Sequence, residues 1–424
     1  MAIRTKNRKE LGVLFSILVS IQSAPFAMAE DKDLAQARFL YQNAHKAEAI
    51  ALCTKNISAG KNVAQWHEML ARACTVNNGD KSRAAQEIKT ALQLAPHDEN
   101  VVATAGLILA GSENNFIVPK ILEAIKAHPQ NGRLHAALAA CYDASHDPLA
   151  EQEIKNAIKL APLDYDVNFE AVDHYAKLQK QDELDKAYAR LLQGSPRSSI
   201  AYTSSGVYKR DNYRFTEASH DLQKAVELNP KYEYACSMLG KALKKSRNLP
   251  EAIKVYTVML KTGGPNASTF GRRANCYALI KETDKAIKDY DQAIKIYGGG
   301  TNFLPQKPTD VLNKADRLDY NKYWLERVEC REKLGQIDQS ISELTSYISG
   351  VTHPESACEI RQRLYRKKGE YAKALTDLNY LIKKDAFVGE RYTDRAEVYN
   401  KLGRSAEARE DLKHAQNIEA TGSP

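Results

Sequence analysis

The sequence contains few residues that break helices. Glycine (21 residues) and proline (14 residues) are scarce in a chain of 424 residues, which argues against a loop-rich or disordered protein. Its main apolar run, from Leu11 to Ile21, is short for a bilayer span, so a protein with several membrane spans is excluded. The sequence also lacks a Cys-x-x-Cys pair and a phosphate-binding glycine loop, and its ten histidines are scattered. We therefore predict no metal site, no cofactor and no catalytic group.

The N-terminus has the layout of a secretory signal peptide. Four basic residues precede the apolar run, and Ala27-Met28-Ala29 follows it. We therefore predict that residues 1–29 are a signal peptide and that the mature chain begins at Glu30. This interpretation predicts an exported protein, periplasmic or secreted, that has no integral membrane span after cleavage. An uncleaved anchor is the alternative.

The remaining charge is small. The whole chain has a net charge of +8, and removal of the leader leaves 57 basic and 52 acidic residues, a net charge of +5 over 395 residues. Such a mild excess predicts no nucleic-acid partner.

Small residues recur along the chain at a period of 34. Ala218, Ala252 and Ala286 are 34 residues apart, and Ala374 and Ala408 keep the same interval. Prolines end successive segments at intervals of 33 or 34 residues: Pro96, Pro129, Pro162, Pro196 and Pro230. Glycines mark a turn inside three later segments: Gly335, Gly369 and Gly403. A fixed period of this length predicts a repeat protein.

Each repeat is predicted to contain two helices. The apolar residues Ala252, Ile253, Tyr256, Met259 and Leu260 form a single stripe at helical spacing. Alanine at the repeated positions lets two helices approach closely. Because no alternating strand pattern of useful length occurs, we predict an all-α protein.

The repeats resemble those of tetratricopeptide-repeat proteins. The segment that begins at Ser199 matches the pattern of that family with Tyr202, Gly206, Phe215, Ala218, Leu222, Ala225 and Pro230. Eleven repeats are expected to begin at Glu30, Gln65, Asp98, Asn131, Tyr165, Ser199, Glu233, Ala267, Asn321, Glu355 and Gly389. The first and third are degenerate, with Asn56 and Ile117 where alanine is expected. The resemblance implies an α-solenoid, a superhelix of about eleven helix-turn-helix repeats.

One insertion interrupts the period. It contains Gly298-Gly299-Gly300, Pro305 and Pro308, and it separates about eight repeats in residues 30–298 from about three in residues 321–424. Residues 299–320 are predicted to be a tolerated surface insertion, with a hinge or a binding loop as the alternative. Thr309 or Asp310 is expected to cap a long helix that continues through Trp324.

The seven cysteines are interpreted as core residues. Six fall at inward-facing positions of first helices: Cys74, Cys141, Cys236, Cys276, Cys330 and Cys358. A disulfide between Cys53 and Cys74 is the alternative, because the helices that carry them are expected to pack together. Asp164 and Asp166, two residues apart at a repeat boundary, are expected to be solvated.

The resemblance implies that partners contact the second, fifth, sixth, ninth, twelfth and thirteenth residues of each repeat. At such positions the candidate partner-binding residues are Lys241, Lys244, Lys245, Arg272, Asn275, Arg363, Arg366 and Lys367. Some family members clamp the terminal carboxylate of a peptide with Lys, Asn and Arg, and Arg272 with Asn275 resembles part of that clamp; Gly271 departs from it. An ordinary solvated face is the alternative. In the third repeat, Val102, Gly106, Leu109 and Ala110 predict an apolar or closely packed groove.

The function predicted from these features is that of an exported scaffold for protein–protein interaction. Its partner is expected to be a protein or peptide bound in the concave groove, where Lys241 and Arg272 are expected to be exposed. A partner that binds these residues is expected to be acidic. A cell-envelope glycan-binding module is the alternative, for which the 22 tyrosines would supply stacking surfaces. An enzyme ranks third.

Overall fold

The computed structural model describes residues 32–61, 63–76, 79–297, 314–351 and 353–421. These residues form 22 α-helices and no strand. Consecutive helices pair into eleven helix-turn-helix repeats, which confirms the predicted all-α solenoid. The predicted signal peptide and mature N-terminus, residues 1–30, lie outside the described residues.

Backbone contacts divide the chain into two compact units, residues 1–194 and 195–424. The described part of unit 1 contains five repeats. Its helices are α1 (Lys32–Gln42), α2 (Lys46–Ser58), α3 (Val63–Thr75), α4 (Lys81–Leu94), α5 (Glu99–Leu109), α6 (Asn114–Ala127), α7 (Gly132–Ala144), α8 (Leu149–Leu160), α9 (Tyr165–Lys177) and α10 (Gln181–Gly194).

Unit 2 contains the other six repeats. Its helices are α11 (Ser199–Asp211), α12 (Phe215–Leu228), α13 (Glu233–Lys245), α14 (Leu249–Thr262), α15 (Ala267–Leu279), α16 (Thr283–Tyr297), α17 (Lys314–Lys333), α18 (Ile337–Gly350), α19 (Glu355–Lys368), α20 (Tyr371–Lys384), α21 (Gly389–Lys401) and α22 (Ser405–Thr421). In both units the odd-numbered helix is the first helix of its repeat.

Capping side chains explain why the first helices begin where the period predicts. The side chain of Asp164 accepts hydrogen bonds from the backbone N–H groups of Asp166 and Val167. Such a cap satisfies donors that have no partner within the helix. In four repeats the capping residue stands two positions after one of the recurring prolines. These capping residues are Asp98, Asn131, Asp164 and Ser198.

In ten of the eleven repeats, the described turn between the two helices contains a left-handed residue. Gly369 has a φ of 75°, as the glycine pattern predicts. Residues other than glycine adopt the same conformation in other repeats, among them Tyr213 with a φ of 61° and Arg247 with a φ of 63°. The left-handed conformation costs such residues about 1 kcal/mol. The period therefore placed these turns better than residue type alone does.

Small residues bring the two helices of a repeat together. Five of the alanines that define the period are at most 1% exposed: Ala218, Ala252, Ala286, Ala374 and Ala408. At Gly240 a Cβ atom would lie 2.5 Å from the Tyr256 ring, so only glycine fits against that tyrosine. Close packing is therefore the physical reason for the sequence period.

The two degenerate repeats also form helix pairs. Asn56, which replaces the expected alanine, is buried, and its Nδ2 donates a hydrogen bond to the Leu52 carbonyl oxygen at 3.0 Å. Ile117 is fully buried in the core of unit 1. A satisfied amide and an apolar side chain both substitute for alanine without disrupting the pair.

A polar contact, which the sequence did not reveal, joins the two helices of most repeats. In the last repeat Arg395 Nε and Nη2 donate to the two carboxylate oxygens of Asp411 at 2.8 and 2.7 Å. The carboxylates at this position are Glu87, Glu153, Asp221, Asp289, Glu343, Asp377 and Asp411. Their partner is a histidine in unit 1 (His67, His135) and an arginine in four of the five cases of unit 2.

The insertion lies within unit 2, and the helices on either side of it pack together. Tyr290 of α16 and Trp324 of α17 belong to one buried cluster, in which Tyr320 is also packed. Residues 314–320, at the end of the segment that we assigned to the insertion, are part of α17, and Tyr320 packs against the repeat core. Residues 298–313, with the predicted cap at Thr309 or Asp310, lie outside the described part of the chain.

All seven cysteines are buried free thiols, as expected of core residues. The disulfide between Cys53 and Cys74 that we considered does not form. Both side chains pack in the core around Trp66, and burial, followed by the proximity of Cys74, raises the pKa of Cys53 to about 12. In the parts of the chain that the structure describes, no three His, Cys, Asp or Glu side chains are arranged to hold a metal ion.

Candidate functional site

The first helices of unit 2 bring several cations together. Lys241 and Lys244 lie on α13, Arg272 on α15 and Arg210 on α11. Lys241, Lys244 and Arg272 are half-buried, so our expectation that Lys241 and Arg272 would be exposed was wrong. Long basic side chains commonly bury their aliphatic stems and keep the charged end accessible. We call Arg210, Lys241, Lys244 and Arg272 the cation cluster.

Lys241 lies at the centre of the cation cluster. Burial, followed by the charges of Arg272 and Arg210, lowers the pKa of Lys241 to about 8. Asp211 and Asp319 act in the opposite direction and do not compensate. Within the described residues, Lys241 forms no ion pair, which makes it a charge that an external anion would stabilise.

Lys244 belongs to a hydrogen-bonded chain that holds Asn275. The Lys244 ammonium donates to Asn275 Oδ1 at 3.0 Å, and Asn275 Nδ2 donates to Glu326 Oε1 at 3.2 Å. The hydroxyl of Tyr290 donates to Glu326 Oε2 at 2.8 Å. Burial lowers the pKa of Lys244. Asn275 is therefore oriented by its neighbours and is not a free side chain.

Arg272 connects the cation cluster to a pocket between α13 and α15. The pocket has a volume of about 530 Å³, and its lining includes Tyr234, Ser237, Thr269 and Arg272. Arg272 Nε donates to Ser268 Oγ at 3.0 Å and forms no ion pair within the described part of the chain. The guanidinium thus lies at one wall of a cavity that also offers hydroxyl groups.

Gly271 explains why the resemblance to a carboxylate clamp is incomplete. A Cβ atom at Gly271 would lie 2.2 Å from Tyr323 Cζ on α17. The aromatic ring of Tyr323 therefore occupies the position at which a lysine side chain would begin. The elongated helix after the insertion supplies this ring, so the departure from the family pattern has a packing cause.

The predicted cations of α19 are arranged differently, because acidic side chains of neighbouring repeats pair with them. Arg363 lies 2.8 Å from Glu332, and Lys367 contacts the same carboxylate. Arg366 lies 2.6 Å from Asp394. These partners are 28 to 35 residues away in the sequence, so only the stacking of repeats reveals them. Lys245, by contrast, is exposed and has no ion pair among the described residues.

The apolar positions of the third repeat do not form an open groove. Val102, Gly106 and Leu109 are buried, and Ala110 is half-buried. A Cβ atom at Gly106 would lie 2.6 Å from Ala137 Cβ on α7. Of the two interpretations that the sequence allowed here, close packing is correct.

Nine of the 22 tyrosines belong to the buried core. They are Tyr175, Tyr188, Tyr232, Tyr256, Tyr290, Tyr323, Tyr347, Tyr365 and Tyr392. Tyr213, at 83% exposure, and Tyr234, at 48%, are the most exposed. Repeat packing therefore accounts for a large part of the tyrosine content, which weakens the case for glycan binding.

Comparison with known proteins identifies the repeats. Residues 267–298 and 389–421 match the family model of the tetratricopeptide repeat. The type IV pilus assembly protein PilF of Pseudomonas aeruginosa is 23% identical over 205 residues, 47% of this chain and 79% of that protein. Superkiller protein 3 of Schizosaccharomyces pombe is 23% identical over 311 residues, 66% of this chain and 22% of that protein.

A similar solved structure is that of YrrB, described as a TPR protein with an unusual peptide-binding site. It is 20% identical, has a TM-score of 0.38, and the match covers 42% of this chain and 92% of that chain. The chain contains tetratricopeptide repeats, and such repeats indicate a scaffold that binds proteins or peptides. None of the described helices is both long and apolar enough to cross a bilayer.

Proposed function

We propose that this chain is an exported scaffold that binds an acidic segment of a partner protein at the cation cluster of unit 2. The observation that carries the proposal is the half-buried position of Lys241, which forms no ion pair among the described residues and lies near Arg272 and near Arg210, itself paired with Asp211. Carboxylates of a partner would stabilise these charges, and the partner would gain specificity from their fixed positions. The proposal includes no catalytic step.

The pocket beside Arg272 supports a peptide ligand. A segment lying along α13 and α15 would place one side chain in the pocket while its carboxylates contact Lys241 and Arg272. Lys244 and Glu326 already hold Asn275 in place. Its amide would therefore bind the peptide backbone without a further loss of side-chain conformational entropy. The paired cations on α19 contribute less, because a partner would have to displace Glu332 and Asp394.

A binding assay with a fluorescent Glu-rich peptide tests the site. The double variant Lys241→Gln with Arg272→Gln is expected to weaken binding about tenfold at low salt, because two half-buried charges are lost. The matched control, Arg363→Gln with Lys367→Gln, removes two cations that are already paired and is expected to change affinity little. Circular dichroism checks that both variants keep their helices. Equal affinity of the two double variants would refute the assignment.

Export is the other part of the proposal. It rests on the basic residues, apolar run and Ala27-Met28-Ala29 of residues 1–29. N-terminal sequencing of the protein from its native cell is expected to begin at Glu30. A protein that retains Arg4 and the apolar run would instead be anchored. A pull-down with the mature chain, followed by mass spectrometry and glycan analysis, would identify the partner and decide between protein and glycan.

A further inference from the structure

Unit 1 contains an ion pair between repeats that are not neighbours. Arg72 on α3, in the second repeat, places Nη1 2.8 Å from Asp166 Oδ1 on α9, in the fifth repeat. The two residues are 94 positions apart. By contrast, the ion pairs described above join helices of one repeat or of adjacent repeats. A solenoid in which repeats contact only their neighbours does not produce such a contact.

Other side chains of the first helices complete this contact. Arg133 on α7 donates from Nε to Asp166 Oδ2 at 3.0 Å and from Nη1 to Asn100 Oδ1 at 3.1 Å. The ring of Tyr41, in the first repeat, packs edge-on against Tyr165 with centroids 6.2 Å apart. First helices of all five repeats of unit 1 therefore meet at Asp166 and its surroundings.

Both carboxylate oxygens of Asp166 are bound by guanidinium groups. Burial by itself would raise the pKa of Asp166, but Arg72 and Arg133 lower that pKa well below its ordinary value. Glu68 Oε1 accepts hydrogen bonds from Arg72 Nε at 3.1 Å and from the Thr104 hydroxyl at 2.6 Å. The Arg72 guanidinium is thus bound by Glu68 of its own helix and by Asp166 of α9.

This arrangement differs from what the sequence suggested. Asp166 was expected to be solvated at a repeat boundary, and this was wrong, since only 6% of the residue is exposed. A carboxylate held between two guanidinium groups has the geometry of a bound ligand. The groups that hold it come from the second and fourth repeats, so the site exists only when the repeats curl together.

We propose that Arg72 and Arg133 form a carboxylate-binding site that the chain fills with its own Asp166, and that this internal ligand closes the first-helix face of unit 1. The closed face offers no groove to a partner segment, because first helices of all five repeats converge on Asp166 and its neighbours. Partner binding is thereby left to unit 2. This inference does not depend on the cation cluster.

Chemical rescue tests the carboxylate site. Asp166→Ala would remove the internal carboxylate and leave a space between two guanidinium groups. Acetate is expected to raise the Tm of this variant by several degrees relative to sodium chloride at equal ionic strength, and to have no such effect on the wild type. Asp80→Ala, which removes the side-chain cap of α4 and no ion pair among the described residues, is the control and is expected to show no rescue.

Rescue absent from Asp166→Ala, or equal in Asp80→Ala, would overturn the site. If Asp166→Ala does not fold, Asp166→Asn retains the shape of the side chain and allows a second measurement. Spin labels at the exposed positions Gln36 on α1 and Ala176 on α9 report the distance between the first and fifth repeats. We expect a longer and broader distance distribution in Asp166→Asn than in the wild type. An unchanged distribution would show that Asp166 does not close the face.

Discussion

The carboxyl group of Glu170 should make the stability of unit 1 depend strongly on pH. Glu170 lies on α9, and its Oε1 atom is buried without a hydrogen-bond partner in the described structure. Burial, followed by the charges of Asp173 and Asp143, raises the pKa of Glu170 from 4.5 to about 8, although Lys177 opposes the shift. The folded protein therefore holds a proton at neutral pH that the unfolded chain releases.

The direction and size of the effect follow from this difference in pKa. Below pH 4.5 Glu170 is protonated in both the folded and the unfolded state, so it does not lower the free energy of unfolding. As pH rises from 4.5 to 8, the unfolded chain ionises first, so stability falls by about 1.4 kcal/mol for each pH unit. At pH 7 the loss amounts to about 3 kcal/mol, and it becomes constant above the folded-state pKa of about 8.

Glu170→Gln tests this reasoning, because glutamine has the shape of the protonated acid and does not ionise. The variant is expected to match the wild type near pH 4.5 and to exceed it by about 3 kcal/mol at pH 7. Urea unfolding, followed by circular dichroism at several pH values, measures the difference. Glu123→Gln, at an exposed position on α6, is the control and should differ little from the wild type at any pH. A constant difference between Glu170→Gln and the wild type from pH 4.5 to pH 8 would refute the argument.

Four further outcomes are expected in unit 2. Tyr213→Gly should raise the free energy of unfolding by about 1 kcal/mol, because Tyr213 is exposed in a left-handed turn; a decrease in urea melts would contradict this. Gly271→Ala should lower the Tm by several degrees, since its Cβ would overlap the Tyr323 ring. Affinity for a Glu-rich peptide should fall as pH rises above about 8, because the Lys241 amine then loses its proton; a flat profile would exclude Lys241 from the site. Proteolysis should cut first within residues 298–308, and the fragments should co-elute because the flanking helices share one core; fragments that separate would indicate two independent arrays.

The sequence by itself determined the architecture of the repeats. The alanines and glycines at a spacing of 34 predicted the number of helix pairs and most helix starts, because close helix packing tolerates only small side chains at those positions. Tyr165, Ser199 and Glu233 begin first helices as predicted. Local rules were enough for this part, since caps, turns and apolar stripes depend on residues fewer than 34 positions apart.

Tertiary structure alone decided which charges are available and where the chain departs from a regular solenoid. Arg363 and Lys241 looked alike in the sequence, but Arg363 pairs with Glu332, whereas Lys241 forms no ion pair among the described residues. Asp166 looked like a solvated carboxylate, yet the curl of unit 1 places it between Arg72 and Arg133. Charge pairing depends on how repeats stack, and a contact between residues 94 positions apart cannot be predicted from a sequence period of 34.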